Sequence, residues 1–223
     1  MEIQEQLTFL TETIKPWLPK DTLFDVRKYS SFESGIRYTV NNSTKILHLH
    51  FELSGRGLSP SALSAMINIH RLEEFIKPII QKNGLPYSDE IEYTVLHTIK
   101  DRELYRGLKK EHSDEEHNRL LRTILVEEII PFFNRINTVE DMSDAVAQVD
   151  FRNLTMVGGQ YPVKFLKAIT VAKWCNLESK YDEYKNEFKR LIKDERDDPD
   201  PNDADSFQNA FDEVIAGLEH RNI

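Results

Sequence analysis

Three residues suited to metal chemistry stand at alternate positions of one segment: His48, His50 and Glu52. Alternate side chains of an extended strand share a face, so this run offers two imidazole nitrogens and a carboxylate oxygen to the same side. Zinc accepts such donors, and three protein ligands with an open fourth position let bound water act as the attacking group. His70 joins the set if its segment is a neighbouring strand. No His-Glu-x-x-His helix and no cysteine cluster accompanies these residues. The same row is also the ordinary polar outer face of a half-exposed sheet.

Other reactive side chains have structural explanations at hand. His97 falls on the apolar side of a segment with Ile91, Tyr93, Val95 and Ile99, the setting of a hydrogen-bonded core histidine. His112 and His117 flank a helix start at Ser113 among Glu111, Asp114, Glu115 and Glu116, where acids complement the helix dipole. Asp198, Asp200 and Asn202 alternate as in a calcium loop. Asp203 then stands where that loop needs glycine, and Asn209 where it needs a bidentate glutamate. Gly158 and Gly159 precede Lys164 and Lys167 without the phosphate-loop pattern and read as a turn. Cys175, beside Trp174, reads as a packed thiol, and no Gly-x-Ser-x-Gly elbow occurs.

The elements that would position these residues segregate along the chain. Ile3, Leu7, Leu10 and Ile14 mark one helical face, ended by Pro16 and Pro19. Leu23–Tyr29 and Phe32–Val40 read as strands, Asn41 to Ser43 as a turn, and Lys45–Leu53 as a strand alternating Leu47, Leu49, Phe51 and Leu53 against the histidine face. A hairpin spans Tyr38–Leu49. Ser54–Ser61, with Gly55, Gly57 and Pro60, reads as a loop. Ser64–His70 satisfies strand and helix periodicities alike and is assigned as strand, leading to a helix through Gln81 interrupted near Pro78. Ile91–Ile99 is rich in β-branched and aromatic residues, as strands are.

From Ser113 onward the pattern is helical. Ser113 and Glu116 form a capping box, and Leu120, Leu121, Ile124, Leu125, Ile129, Phe132 and Phe133 form a buried stripe with Pro131 bending or ending it. Thr138 caps a shorter helix to about Val149. Helices over Tyr161–Cys175 and Glu178–Lys193 make a hairpin across Asn176, and Ser206–Leu218 is the last. The expected fold is α+β: an antiparallel meander of about four strands packed with a C-terminal group of helices, in one domain over residues 1–223. Its sheet-rich part covers about 20–100, its helical part about 113–223, with an acidic linker at 197–205. No repeat recurs.

Composition narrows the class further. The 223 residues are 39% hydrophobic and 10% aromatic, which suits a packed core and not a disordered chain. One cysteine makes no internal disulfide, and the acidic start lacks the basic and apolar regions of a secretory signal, so a cytoplasmic setting is expected. No apolar run reaches the roughly 20 residues that span a bilayer. Of the net charge of −9, residues 194–205 carry −6. Such a focused patch, bearing Asp197, Asp198, Asp200, Asp203 and Asp205, steers a basic partner. Lys100, Arg102, Arg106, Lys109 and Lys110 form a short basic segment. With Tyr105 its only stacking aromatic, it reads as a solvated helix face ahead of a nucleic-acid contact.

The strand meander around GIRYTVNNSTKILHLHFELSG followed by a helix ending EEIIPFFNRINTVEDM resembles small uncharacterised bacterial α+β proteins of immunity or accessory type, over roughly residues 20–150. The resemblance carries no catalytic residue onto this chain. The missing catalytic motifs, the acidic chain and the segregated α+β plan, with this resemblance, point to a cytoplasmic protein-interaction protein without enzymatic activity or cofactor, of which an immunity-type inhibitor of a toxin is one form. A metal-dependent hydrolase using His48, His50 and Glu52 is the alternative, and a nucleic-acid-binding accessory protein the third.

Overall fold

A computed structural model describes residues 3–54, 57–87, 93–97, 102–108, 110, 112–197 and 203–220. Among these the order is α1 (Ile3–Ile14), β1 (Asp25–Lys28), β2 (Glu33–Val40), β3 (Ser43–Ser54), β4 (Gly57–Ile69), α2 (His70–Lys82), β5 (Val95–Leu96), α3 (Arg102–Gly107), α4 (Asp114–Ile124), α5 (Ile130–Arg135), α6 (Ser143–Ala147), α7 (Val163–Trp174), α8 (Glu178–Asp197) and α9 (Ala204–His220). The fold is α+β, with an antiparallel meander in the order β1-β2-β3-β4-β5. All five segments read as strands contribute, one more than the four or so expected. The contacts group into two compact units, Met1–Ile67 with Leu96–Asn137 and Asn68–Val95 with Thr138–Ile223.

In the first unit the β2–β3 hairpin sets everything else. Asn41 and Asn42 both adopt left-handed backbone, with φ of 50° and 58°. Two such residues make the tight turn whose twist matches the strands it joins. The turn pairs Val40 with Ser43, and the register runs from there to Glu33 opposite His50. One sheet face is apolar: Ile36, Leu47 and Leu49 are fully buried. Helices α1 and α4 pack together, α1 against β2, and Phe133 of α5 meets Tyr38 edge-on at 5.9 Å. Lys45 lies on this buried side, its ammonium donating to the carbonyl of Ile136 and to Asn137 Oδ1.

The helix from Asp114 does not end at Pro131. It widens to a π turn over Leu125–Ile129 and resumes as α5, which makes room for a ring that would otherwise clash with the carbonyl four residues back. Ser113 accepts the Glu116 N–H at 3.2 Å, as a capping residue should. Glu116 spends its carboxylate on His112 Nδ1, 3.3 Å away.

The second unit is built around α7, whose residues are buried on nearly every side. It ends in a Schellman motif: Asn176, at φ 56°, donates to Lys173 O, and Leu177 donates to Ala172 O at 2.9 Å. Helices α8, α9 and α2 pack around it. Helix α2 is continuous through Pro78, correcting the expected interruption. Pro78 and Glu74 are both exposed, so the backbone bond that proline cannot make is lost at the surface and not in the core.

Three further expectations change. Strand β4 begins at Gly57, so 57–61 is strand and not loop, and sheet pairing prevails over Gly57 and Pro60 as local breakers. Thr138 is not a side-chain cap. Its N–H instead donates to Asp141 Oδ2 at 2.9 Å. The acidic linker is shorter than 197–205, because α8 runs through Asp197 and α9 takes up Ala204 and Asp205.

Candidate metal centre

The β2–β3 register places Glu33 directly opposite His50 and Gly35 opposite His48. Phe51 donates its N–H to Phe32 O at 2.7 Å, which makes Glu33 and His50 a pair without mutual backbone bonds, the kind whose side chains approach most closely. His50 Nδ1 lies 3.3 Å from Glu33 Oε1. Ligand atoms of Glu33, His48 and His50 all fall within 4.8 Å of one another, and all three residues are half-buried. With zinc bonds of about 2.0–2.1 Å, two ligands of a tetrahedral site stand about 3.3 Å apart. The His50–Glu33 separation already has that value.

Glu52 is not part of this group, which corrects the sequence expectation. Positions two apart on a strand are separated by nearly 7 Å, so a row of three on one strand spreads, whereas the adjacent strand lies under 5 Å away. Glu33 is the carboxylate that stands with the two histidines, and Glu52 is exposed further along β3. His70 is also elsewhere, as the first residue of α2.

The surroundings of His48 favour its neutral form. His48 Nε2 is buried without a hydrogen-bond partner. Burial first, then the neighbouring His50, hold the His48 pKa below the ordinary histidine value; Glu33 opposes the shift, and the charge of Arg37 adds to it. The His48 ring lies 4.6 Å from that of His50 and meets the edge of Tyr29 at 4.9 Å. Gly35 makes the Tyr29 position possible, because a Cβ there would stand 2.8 Å from Tyr29 Cε2 and 3.0 Å from Leu47 O.

The remaining candidates take structural places. His97 is buried with its Nε2 3.3 Å from Glu128 Oε2, and its ring meets Phe132 at 5.2 Å. His117 Nε2 contacts Leu108 O at 3.1 Å and His112 Nε2 contacts Gly107 O at 2.9 Å, so both pin the loop before α4. Cys175 contacts Val139 O at 3.5 Å, and burial pushes its thiol up to about 11. In the acidic patch, Asp205 sits 3.5 Å from Arg196 at 94% side-chain exposure. Asp198 and Asp200 lie outside the described residues, as do Lys100 and Lys109 of the basic segment.

One buried centre was missed from sequence. Lys167, dismissed with the glycine turn, is wholly buried in α7 and lies 2.9 Å from Glu73 of α2. Glu73 also accepts from Thr94 Oγ1 at 2.6 Å and Tyr87 Oη at 3.1 Å, while Lys167 donates to Tyr93 O at 2.9 Å. Each charge is neutralised and hydrogen-bonded, as buried ions must be to persist. This network ties α2, α7 and the chain before β5 together.

The chain matches no protein-family model, and no curated protein or solved structure matches it. Among the described residues no helix is long and apolar enough to cross a membrane.

Proposed function

We propose that this protein binds a divalent transition metal of the zinc class through Glu33, His48 and His50, and uses it for hydrolytic chemistry. The observation that carries this reading is the convergence of two imidazoles and a carboxylate within 4.8 Å on adjacent strands of a solvent-reaching face. A His₂-carboxylate set leaves a fourth position open, and a metal there lowers the pKa of bound water towards neutrality. The rigid hairpin holds the ligands before the metal arrives, which limits the ordering cost of binding. The test is elemental analysis of protein loaded with zinc and then dialysed. One equivalent should be retained, and the His48→Ala/His50→Ala variant should retain none; equal retention by both would reject the site.

A protein-interaction role has its own support at the sheet edge. Strand β1 ends the sheet, and Val26 with the neighbouring Leu23 and Phe32 exposes large apolar side chains. Edge strands with such neighbours accept an added strand from a partner. A partner of this kind, such as the toxin inhibited by an immunity protein, should be captured by the native chain and lost on Val26→Pro.

A further inference from the structure

The face that carries the metal ligands continues into a groove of about 520 Å³, within the size range of small-molecule sites. Its lining includes Thr22, Asp25, Arg27, Arg37, Thr39 and Thr44. The strand register explains why groove and ligands belong together. Glu33, Gly35 and Arg37 alternate along β2 and share one face, and Arg37 stands two residues beyond the glycine that opposes His48. Arg37 thus borders both.

The two arginines of the groove differ in what already occupies them. Arg27 donates from Nε to Asp25 Oδ2 at 2.6 Å. Arg37 Nε is buried and makes no hydrogen bond, and no ion pair links Arg37 to any carboxylate among the described residues. Even Asp25, its cross-strand neighbour, is engaged by Arg27. A guanidinium left unpaired beside a site that gains positive charge on metal loading is placed for an anion. Its planar fork matches the two oxygens of a carboxylate or phosphate.

Resting on the metal reading above, we propose that the substrate is a small oxyanion, held between Arg37 and the metal on Glu33, His48 and His50, with the rest of the molecule in the adjoining groove. A phosphate monoester and a carboxylate share this chemistry. One oxygen of the anion would join the bound water as a fifth ligand of the metal, and Arg37 would take the others.

The experiment uses the full chain loaded with cobalt(II), whose visible absorption reports the coordination sphere, titrated separately with acetate and inorganic phosphate. Binding of either should shift the cobalt bands, and Arg37→Met should weaken that binding at least about tenfold, as loss of a charge-assisted bond does. Arg37→Lys should recover part of it, and Arg27→Met, which releases Asp25 to its cross-strand neighbour Arg37, should weaken it as well. A response to phosphate alone assigns a phosphorylated substrate, and one to acetate alone a carboxylate. Cobalt bands that neither anion moves would overturn the proposal and leave the metal site standing. Equal anion affinity in the native chain and Arg37→Met would overturn it as well. If no cobalt bands appear, the metal reading fails and takes this one with it.

Discussion

Replacing Lys167 by methionine should destabilise the second unit more than any surface change. Lys167 is wholly buried, and its ammonium lies 2.9 Å from Glu73 Oε1. Methionine fills similar volume but removes the cation that pairs with that carboxylate. Thr94 and Tyr87 still donate to Glu73, yet two neutral donors do not replace a cation in a site closed to water. Breaking a buried pair from one side costs about 3–5 kcal/mol. At roughly 2–4 °C per kcal/mol for a chain of this size, the midpoint should fall by about 6–20 °C. Trp174 gives the probe, since it sits in α7, is 7% exposed and packs on Phe75 at 5.4 Å, whereas Trp17 is 54% exposed. Urea and thermal melts followed by tryptophan fluorescence therefore read this unit. The Lys167→Met/Glu73→Leu variant removes both charges and should recover more than half of the loss. A single variant within about 1 kcal/mol of the native chain, judged against that cost, would show that the carboxylate is hydrated or protonated and that the network is not the organising centre described.

Other perturbations address the remaining sites. Glu33→Gln should weaken zinc at least about a hundredfold, since even partners outside the coordination sphere cost about 10–100-fold; Glu52→Gln should leave it within about twofold, with both measured by competition against a chromophoric chelator. Cys175 is held near 11 by burial, reinforced by Glu140 and opposed by Arg71. Its thiolate is therefore scarce at pH 8, and iodoacetamide should react about a hundredfold more slowly with the native than with the urea-unfolded chain, as mass spectrometry will record. Gly158→Ala should cost stability at the upper end of the roughly 1–3 kcal/mol overpacking range. Its Cβ would stand 2.4 Å from the Tyr93 carbonyl, and its N–H donates to Thr94 O.

Where one physical signal dominated, the chain was readable without coordinates. Helix α1 matches the Ile3 to Ile14 spacing because Leu7, Leu10 and Ile14 face a core and the prolines stop it. The alternation from Leu47 to Phe51 marked the sheet faces, and Ser64–His70 proved strand up to Ile69. Failures came where tertiary partners outweighed local chemistry, as at Gly57 and Pro60 in β4 and at Pro131, which a π turn absorbs. The candidate metal centre was legible in part. His48 and His50 stood out, but Glu33 belongs to another strand. It was within reach nonetheless: a two-residue turn at Asn41 and Asn42 pairs Val40 with Ser43, and counting outward sets Glu33 against His50. Lys167 carried no such signal, since one lysine in a helix normally faces water and only the position of Glu73 shows otherwise.

The central claim is most directly measured by zinc-edge X-ray absorption on protein carrying one equivalent of zinc. Two imidazoles and carboxylate or water oxygens at about 2.0–2.1 Å are expected, with one imidazole lost in His48→Ala and the spectrum unchanged in Glu52→Gln. An all-oxygen shell, or a spectrum altered by Glu52→Gln but not by Glu33→Gln, would contradict the assignment of Glu33, His48 and His50.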